Sequence, residues 1–278
     1  MVSISVPQLF LAVLATVILS AVTTGVALRV RYRAQGVGTV VPILTALTLV
    51  LNAGTLIWRA ALVSDARHIL ANRFDVTLLF ATLVGAVAFH SQLRPAIRGL
   101  DTFMLPVALF VQVFAFLGMR EPQLPGHIHS WFVVHLVTWV VGATLLVCGG
   151  VAGGAYLLMN HALRSKQRSS LLWRLAPLED WERSGRWSML LGFLCMTFGV
   201  LTGICQAYRS DWRPRHDWLT DTFIIGCAML WTLYAIGIAA MWIVPRFRGR
   251  RSAQLAVVSG VMLVVVFLIV EKLSGVHR

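Results

Sequence analysis

The sequence predicts an all-α, polytopic membrane protein of about eight transmembrane helices. Three observations carry that prediction. Of 278 residues, 58% are hydrophobic and only 13% are charged, against about a quarter charged in soluble domains. Mean hydropathy is +0.78. Apolar runs recur at the length needed to cross a hydrocarbon core of ~30 Å, about 20 residues each. They are too long and too uniformly apolar for the alternating strands of a membrane β-barrel.

The runs fall at about 6–28, 38–58, 74–93, 102–119, 131–158, 187–206, 222–244 and 254–271, and read as a single integral membrane domain over 1–278. The first has no basic segment before it and is followed by Arg29, Arg31 and Arg33. It reads as a retained helix, not a cleaved signal. Pro42 and Pro106 lie inside the second and fourth runs, where a proline kinks a spanning helix. The fifth run is long enough to tilt or to project beyond the bilayer. Its GGVAGG stretch, Gly149–Gly154, permits close helix packing.

The formal charge is +13. In a multi-span protein, basic residues gathered in cytoplasmic loops account for such an excess. With no basic patch interleaved with aromatics, nucleic acid is not an expected partner. Counting Lys and Arg on alternate sides gives 15 against 9. The richer side is expected in the cytoplasm, which puts both termini outside. The four cysteines, Cys148, Cys195, Cys205 and Cys227, form no Cys-x-x-Cys and read as small buried hydrophobes. Glu179, Asp180 and Glu182 among arginines read as a solvated cytoplasmic segment, whose local ion pairs contribute little.

Six of the eight histidines map to the outer side: His68, His127, His129, His135, His216 and His277. Beside them lies Gln206–Asp221, with two tryptophans, a histidine, three aspartates and three arginines. Taken singly, Trp212 and Trp218 read as interfacial anchors. His127, His129 and His216 read as turn or loop residues in water, and His277 as part of a frayed terminus. His135 differs, because it lies about one turn into the fifth span. An ionisable group at that depth faces protein and pairs with something, and imidazole is the commonest protein ligand for metals. No phosphate-binding glycine loop, His-Glu-x-x-His or Gly-x-Ser-x-Gly is present. No span carries a paired intramembrane charge of the kind that marks an ion path.

Several of these segments together resemble the cytochrome c assembly family, the CcsA/ResC-type proteins and their shorter HemX- and YpjD-like relatives. Asp221 and Trp218 match that family's tryptophan-rich signature, with Trp212 on an earlier tryptophan, and Trp231-Thr-Leu-Tyr234-Ala235 matches the span that follows. Ser130-Trp131 with His135 is similar to the start of a family helix bearing an outer haem-ligating histidine. Leu175–Arg183 and Leu201-Thr202-Gly203 match the cytoplasmic segment and helix end that come next. Gly275-Val276-His277 resembles the element that supplies the second ligand, and His68 with Asn72–Asp75 resembles an inner-site element. The resemblance covers about 65–278. Thr220 stands where the signature has tryptophan, and Thr222-Phe223-Ile224 replaces its Pro-Lys-Glu. Ala239 and Ala240 occupy the region of the inner-site partner histidine.

The resemblance implies a haem-handling protein of cytochrome c maturation in the bacterial cytoplasmic membrane. It implies b-type haem held transiently and without a covalent bond, with His135 and His277 as axial ligands and Trp212, Trp218, Asp221 and His68 as further haem-site residues. It implies a ResB-like membrane partner and apocytochrome c, and a place within a cytochrome c synthase complex. Two other readings stand beside it. One is a non-catalytic HemX-like factor regulating haem biosynthesis; the other is a small-solute or metal transporter.

Overall fold

The computed structural model describes residues 6–33, 39–62, 70, 73–94, 97, 99–117, 130–166, 176–209 and 222–265. Those residues form eight α-helices and no strand: α1 (Val6–Arg33), α2 (Val40–Leu62), α3 (Arg73–Leu93), α4 (Leu100–Leu117), α5 (Ser130–Arg164), α6 (Leu178–Arg209), α7 (Thr222–Ile243) and α8 (Arg250–Val265). A short 3-10 turn, Pro245–Phe247, precedes α8. Helices are the expected outcome, because a chain in hydrocarbon must satisfy its backbone hydrogen bonds within each segment. The first seven are long and apolar enough to cross a membrane, so the chain is a multi-pass membrane protein. The eighth is described for 16 residues only.

The chain divides into two compact units, one of residues 1–128 and 168–176, the other of residues 129–167 and 177–278. In the first, each of α1–α4 packs on the next and α4 returns to α1. Phe74, Leu78, Val13 and Ala115 form an apolar cluster there, with Leu56 and Phe116 against it. Pro42 falls in the first turn of α2, where its missing N–H has no helical acceptor to lose. The kink expected there therefore has no cause, whereas Pro106 does sit inside α4.

Helix α2 is polar on its inward face. Thr45, Thr48, Asn52 and Thr55 are all buried, while Ile43, Leu47, Val50 and Ile57 point outward. Spacings of three and four residues put the buried set on one stripe. At the end of that stripe, Arg59 Nε donates to Asp75 Oδ1 (2.5 Å) and Nη2 to Oδ2 (3.3 Å), with both side chains largely covered. The guanidinium also lies over the Phe74 ring, 4.9 Å from its centroid. Arg59 and Asp75 both fall inside candidate spans, Val40–Ala61 and Phe74–Leu93. The expectation that no span carries a paired charge is thereby corrected: α2 runs to Leu62, past its expected end at 58, and so brings Arg59 to the acidic first turn of α3. Removing one partner strands the other charge, which costs about 3 kcal/mol or more. Asp75→Ala is expected to lower the melting temperature in detergent by several degrees, and a charge swap (Arg59→Asp, Asp75→Arg) to recover part of the loss.

In the second unit, α5 is flanked by α6 and α8, and α7 contacts both α6 and α8. Glycine sets the spacing. A Cβ on Gly142 would come within 2.8 Å of Met196, one on Gly149 within 2.8 Å of Met189, and one on Gly153 within 2.7 Å of the Ala253 carbonyl. The close packing expected of Gly149–Gly154 thus serves two neighbours, α6 through Gly149 and α8 through Gly150 and Gly153.

Two expectations change. Only Cys148 is buried; Cys205 is exposed, and Cys195 and Cys227 are half-buried. Cys205 faces outward, where a small apolar thiol suits lipid as well as a core. Glu182 is not simply solvated. Its carboxylate accepts a hydrogen bond from the Gly249 N–H (2.9 Å) at the start of α8, beside the fully buried Trp181.

Candidate functional site: a histidine in the α5–α6 seam

The α5–α6 contact is antiparallel and repeats every seven residues. Gly149 meets Gly185 and Met189, Gly142 meets Gly192 and Met196, and the next position along α5 is His135, which meets Gly199 and Gly203. A seven-residue repeat keeps one seam facing its partner along both helices. His135 therefore takes a place that glycine fills twice elsewhere on α5. Its ring fits because the opposing residue has no side chain: a Cβ on Gly203 would lie 2.9 Å from both Cε1 and Nδ1.

The ring orientation is set by one hydrogen bond. His135 Nδ1 lies 2.7 Å from the Gly199 carbonyl oxygen. A carbonyl can only accept, so Nδ1 carries the proton and donates. The neutral ring then presents a bare lone pair at Nε2, the atom a metal would take. The Gly199 oxygen also accepts from the Thr202 hydroxyl (2.9 Å). Thr138, one turn along α5, donates to the His135 carbonyl (2.9 Å) and to the Val134 carbonyl (2.7 Å).

The span matching the family's Trp-Leu-x-Tyr-Ala element packs against the same helix α6. The Trp231 indole N–H donates to the Thr197 hydroxyl (3.0 Å), and its ring stacks on Phe193 with centroids 5.5 Å apart. Tyr234 is almost fully buried.

Of the sequence-predicted site residues, His135 is the one described here. His68, Trp212, Trp218, Asp221 and His277 lie outside the described residues. Among the described residues, no three His, Cys, Asp or Glu side chains converge as a metal cluster. Sequence reasoning missed Gly199, because its contribution is a backbone carbonyl that every residue possesses. Thr202 and Gly203 carried a signal through the helix-end match, though not their contact with His135.

The donor set fits haem in kind: one neutral imidazole, fixed in the tautomer that leaves Nε2 free, beside a seam of glycines and apolar side chains. Imidazole is a common axial ligand to haem iron.

Comparison with known proteins gives consistent relatives. A cytochrome c biogenesis protein CcsA of Parasynechococcus marenigrum is 25% identical over 188 residues, 58% of this chain and 59% of the relative. CcsA of Pyropia yezoensis is 21% identical over 290 residues, 87% of this chain and 88% of the relative. CcsA of Prochlorococcus marinus subsp. pastoris is 23% identical over 249 residues, 76% of each. The chain is thus similar to CcsA proteins at modest identity, and its first match spans 59% of that relative's length. No protein-family model matches the chain, and no solved structure matches it.

Proposed function

We propose that this chain handles haem in cytochrome c maturation, with His135 and His277 as the residues that would hold its iron. The observation that carries the reading is the Nδ1–H···O=C bond from His135 to Gly199. It leaves Nε2 free inside a helix seam, which supports a ligand role in a chain similar to several CcsA proteins. In this reading Trp212 and Trp218 offer flat apolar faces, Asp221 belongs to the same cap, and His68 belongs to a separate inner element. When bound, haem supplies the vinyl groups to which apocytochrome thiols attach. The protein's part is to hold and orient, and proximity supplies much of the rate in such a step.

The same reading puts the chain in a bacterial cytoplasmic membrane with both termini outside, His135 on the extracytoplasmic side, haem bound transiently as b-type, and a ResB-like partner beside apocytochrome c. The assembly-like region is 65–278. A second reading, a HemX-like regulator of haem biosynthesis, is favoured by Thr220 in place of the signature tryptophan and by alanines at 239 and 240 where the inner partner histidine belongs.

Deleting the gene separates the two. Loss of haem-staining c-type cytochromes across the membrane fraction is the expected result. Intact cytochromes with altered haem precursors would instead establish the regulator.

A further inference from the structure

The polar stripe of α2 borders a small cavity inside the first unit, and this cavity is independent of the haem reading. Ser20 and Thr23 of α1, Thr45, Thr48 and Asn52 of α2, and Gln112 of α4 line it, with Gly85, Leu49 and Leu105 among the apolar walls. These residues sit well inside the candidate spans Phe10–Arg29, Val40–Ala61 and Leu100–Leu117. The cavity has about 10 Å³ of room for the centre of a water molecule, which is about the smallest space that holds one.

Its hydrogen-bond chemistry is unbalanced in a particular direction. Asn52 and Gln112 are 2% and 1% exposed. Gln112 Nε2 donates to Asn52 Oδ1 (2.8 Å), and the two amides have no other hydrogen bond among the described residues. Asn52 keeps an NH₂ to give, and Gln112 keeps a carbonyl oxygen to receive. If both amides are turned over, one donor and one acceptor are still left. The threonine hydroxyls around them have spent their protons. Thr48 donates to the Leu44 carbonyl, Thr45 to that of Val41, and Thr23 to that of Leu19. What they offer the cavity is therefore lone pairs, though Thr45 already accepts from Gln92 Nε2 (3.1 Å) and the hydroxyls of Thr23 and Thr48 lie 3.3 Å apart. Lipid can satisfy none of this.

A ligand that fits must be no larger than water, must donate more than once, and must accept from one of the two amides. We propose that this cavity is an internal hydration site, holding an ordered water that donates to Gln112 and a threonine hydroxyl and accepts from Asn52. A buried water making about three hydrogen bonds to otherwise unsatisfied groups is the usual form of such a site. Anything larger is excluded by volume, and an anion would face the lone pairs of the threonine hydroxyls.

The test is radiolytic hydroxyl-radical footprinting of the full-length protein in lipid nanodiscs, in H₂¹⁶O and after mixing into H₂¹⁸O. A bound water is a local radical source. Leu49 and Leu105 are thus expected to be oxidised well above Leu47, which faces outward on the same helix, and to take up ¹⁸O more slowly than loop residues. Asn52→Leu with Gln112→Leu should bring Leu49 and Leu105 down to the level of Leu47. Gly85→Ala provides a milder variant should that pair misfold. Its new methyl group lies 3.1 Å from Leu49 Cδ2 at the cavity wall and should produce the same loss. Leu49 and Leu105 no more oxidised than Leu47 in the native protein, or oxidation unchanged in a folded variant, would overturn the assignment.

Discussion

Purified His135→Ala protein is expected to lose most of its Soret absorbance, and the His135→Ala, His277→Ala double variant all of it. The argument is one of ligand supply. A single imidazole nitrogen, freed by the Nδ1 bond to Gly199, is replaced by a methyl group that donates nothing to iron. Positioning groups around metal ligands contribute roughly 10–100-fold in affinity, so loss of the ligand itself should exceed that. The protein should still fold. Gly199 keeps its bond from Thr202, and one lost hydrogen bond costs only about 1 kcal/mol. Oxidised and reduced spectra with haem quantified per chain give the readout, and added free imidazole should restore part of the band. A native-like spectrum in the double variant would remove the ligand assignment and leave the CcsA similarity without a site.

Gly203→Ala should weaken haem retention by roughly 10–100-fold with His135 itself intact. The new Cβ would sit 2.9 Å from Cε1 and Nδ1 of the ring, so the imidazole must swing away from the Gly199 carbonyl. Overpacking of this kind also costs about 1–3 kcal/mol of stability, so binding and melting must be measured on the same sample. Gly25→Ala is the control: nothing lies within 4 Å of its added Cβ, and the better helix former should leave both unchanged or gain up to about 1 kcal/mol. The ¹⁵N shifts of His135 report the tautomer without any cofactor. A native Nδ1–H signature in Gly203→Ala would show that the glycine does not position the ring.

Much of the fold could be read from the sequence because hydrocarbon imposes one demand on every segment. Long apolar runs become helices, and helix α5 carried its packing glycines in plain sight. What the runs concealed was direction. Thr45, Thr48, Asn52 and Thr55 are uncharged, so they barely lower the apolar character of α2, and their inward stripe emerges only with its neighbours present. The cysteines were misjudged for the same reason: an apolar run does not say which side meets lipid. The Arg59–Asp75 pair was hidden by a boundary placed at 58, just short of Arg59, where α2 in fact runs on to Leu62. At the site, His135 stood out because an ionisable group that deep requires a partner. The partner itself carried no letter to read, since an oxygen of the main chain is common to all residues.

The atom that decides which ring nitrogen bears the proton belongs to the peptide path of α6, so point mutation cannot delete it while the helix persists. Drift can reach the arrangement through the two hydrogens of a glycine α-carbon, where a single added carbon at 203 blocks the berth. The tautomer is inherited with the course of the helix, and the vulnerable locus is a place with no side chain at all.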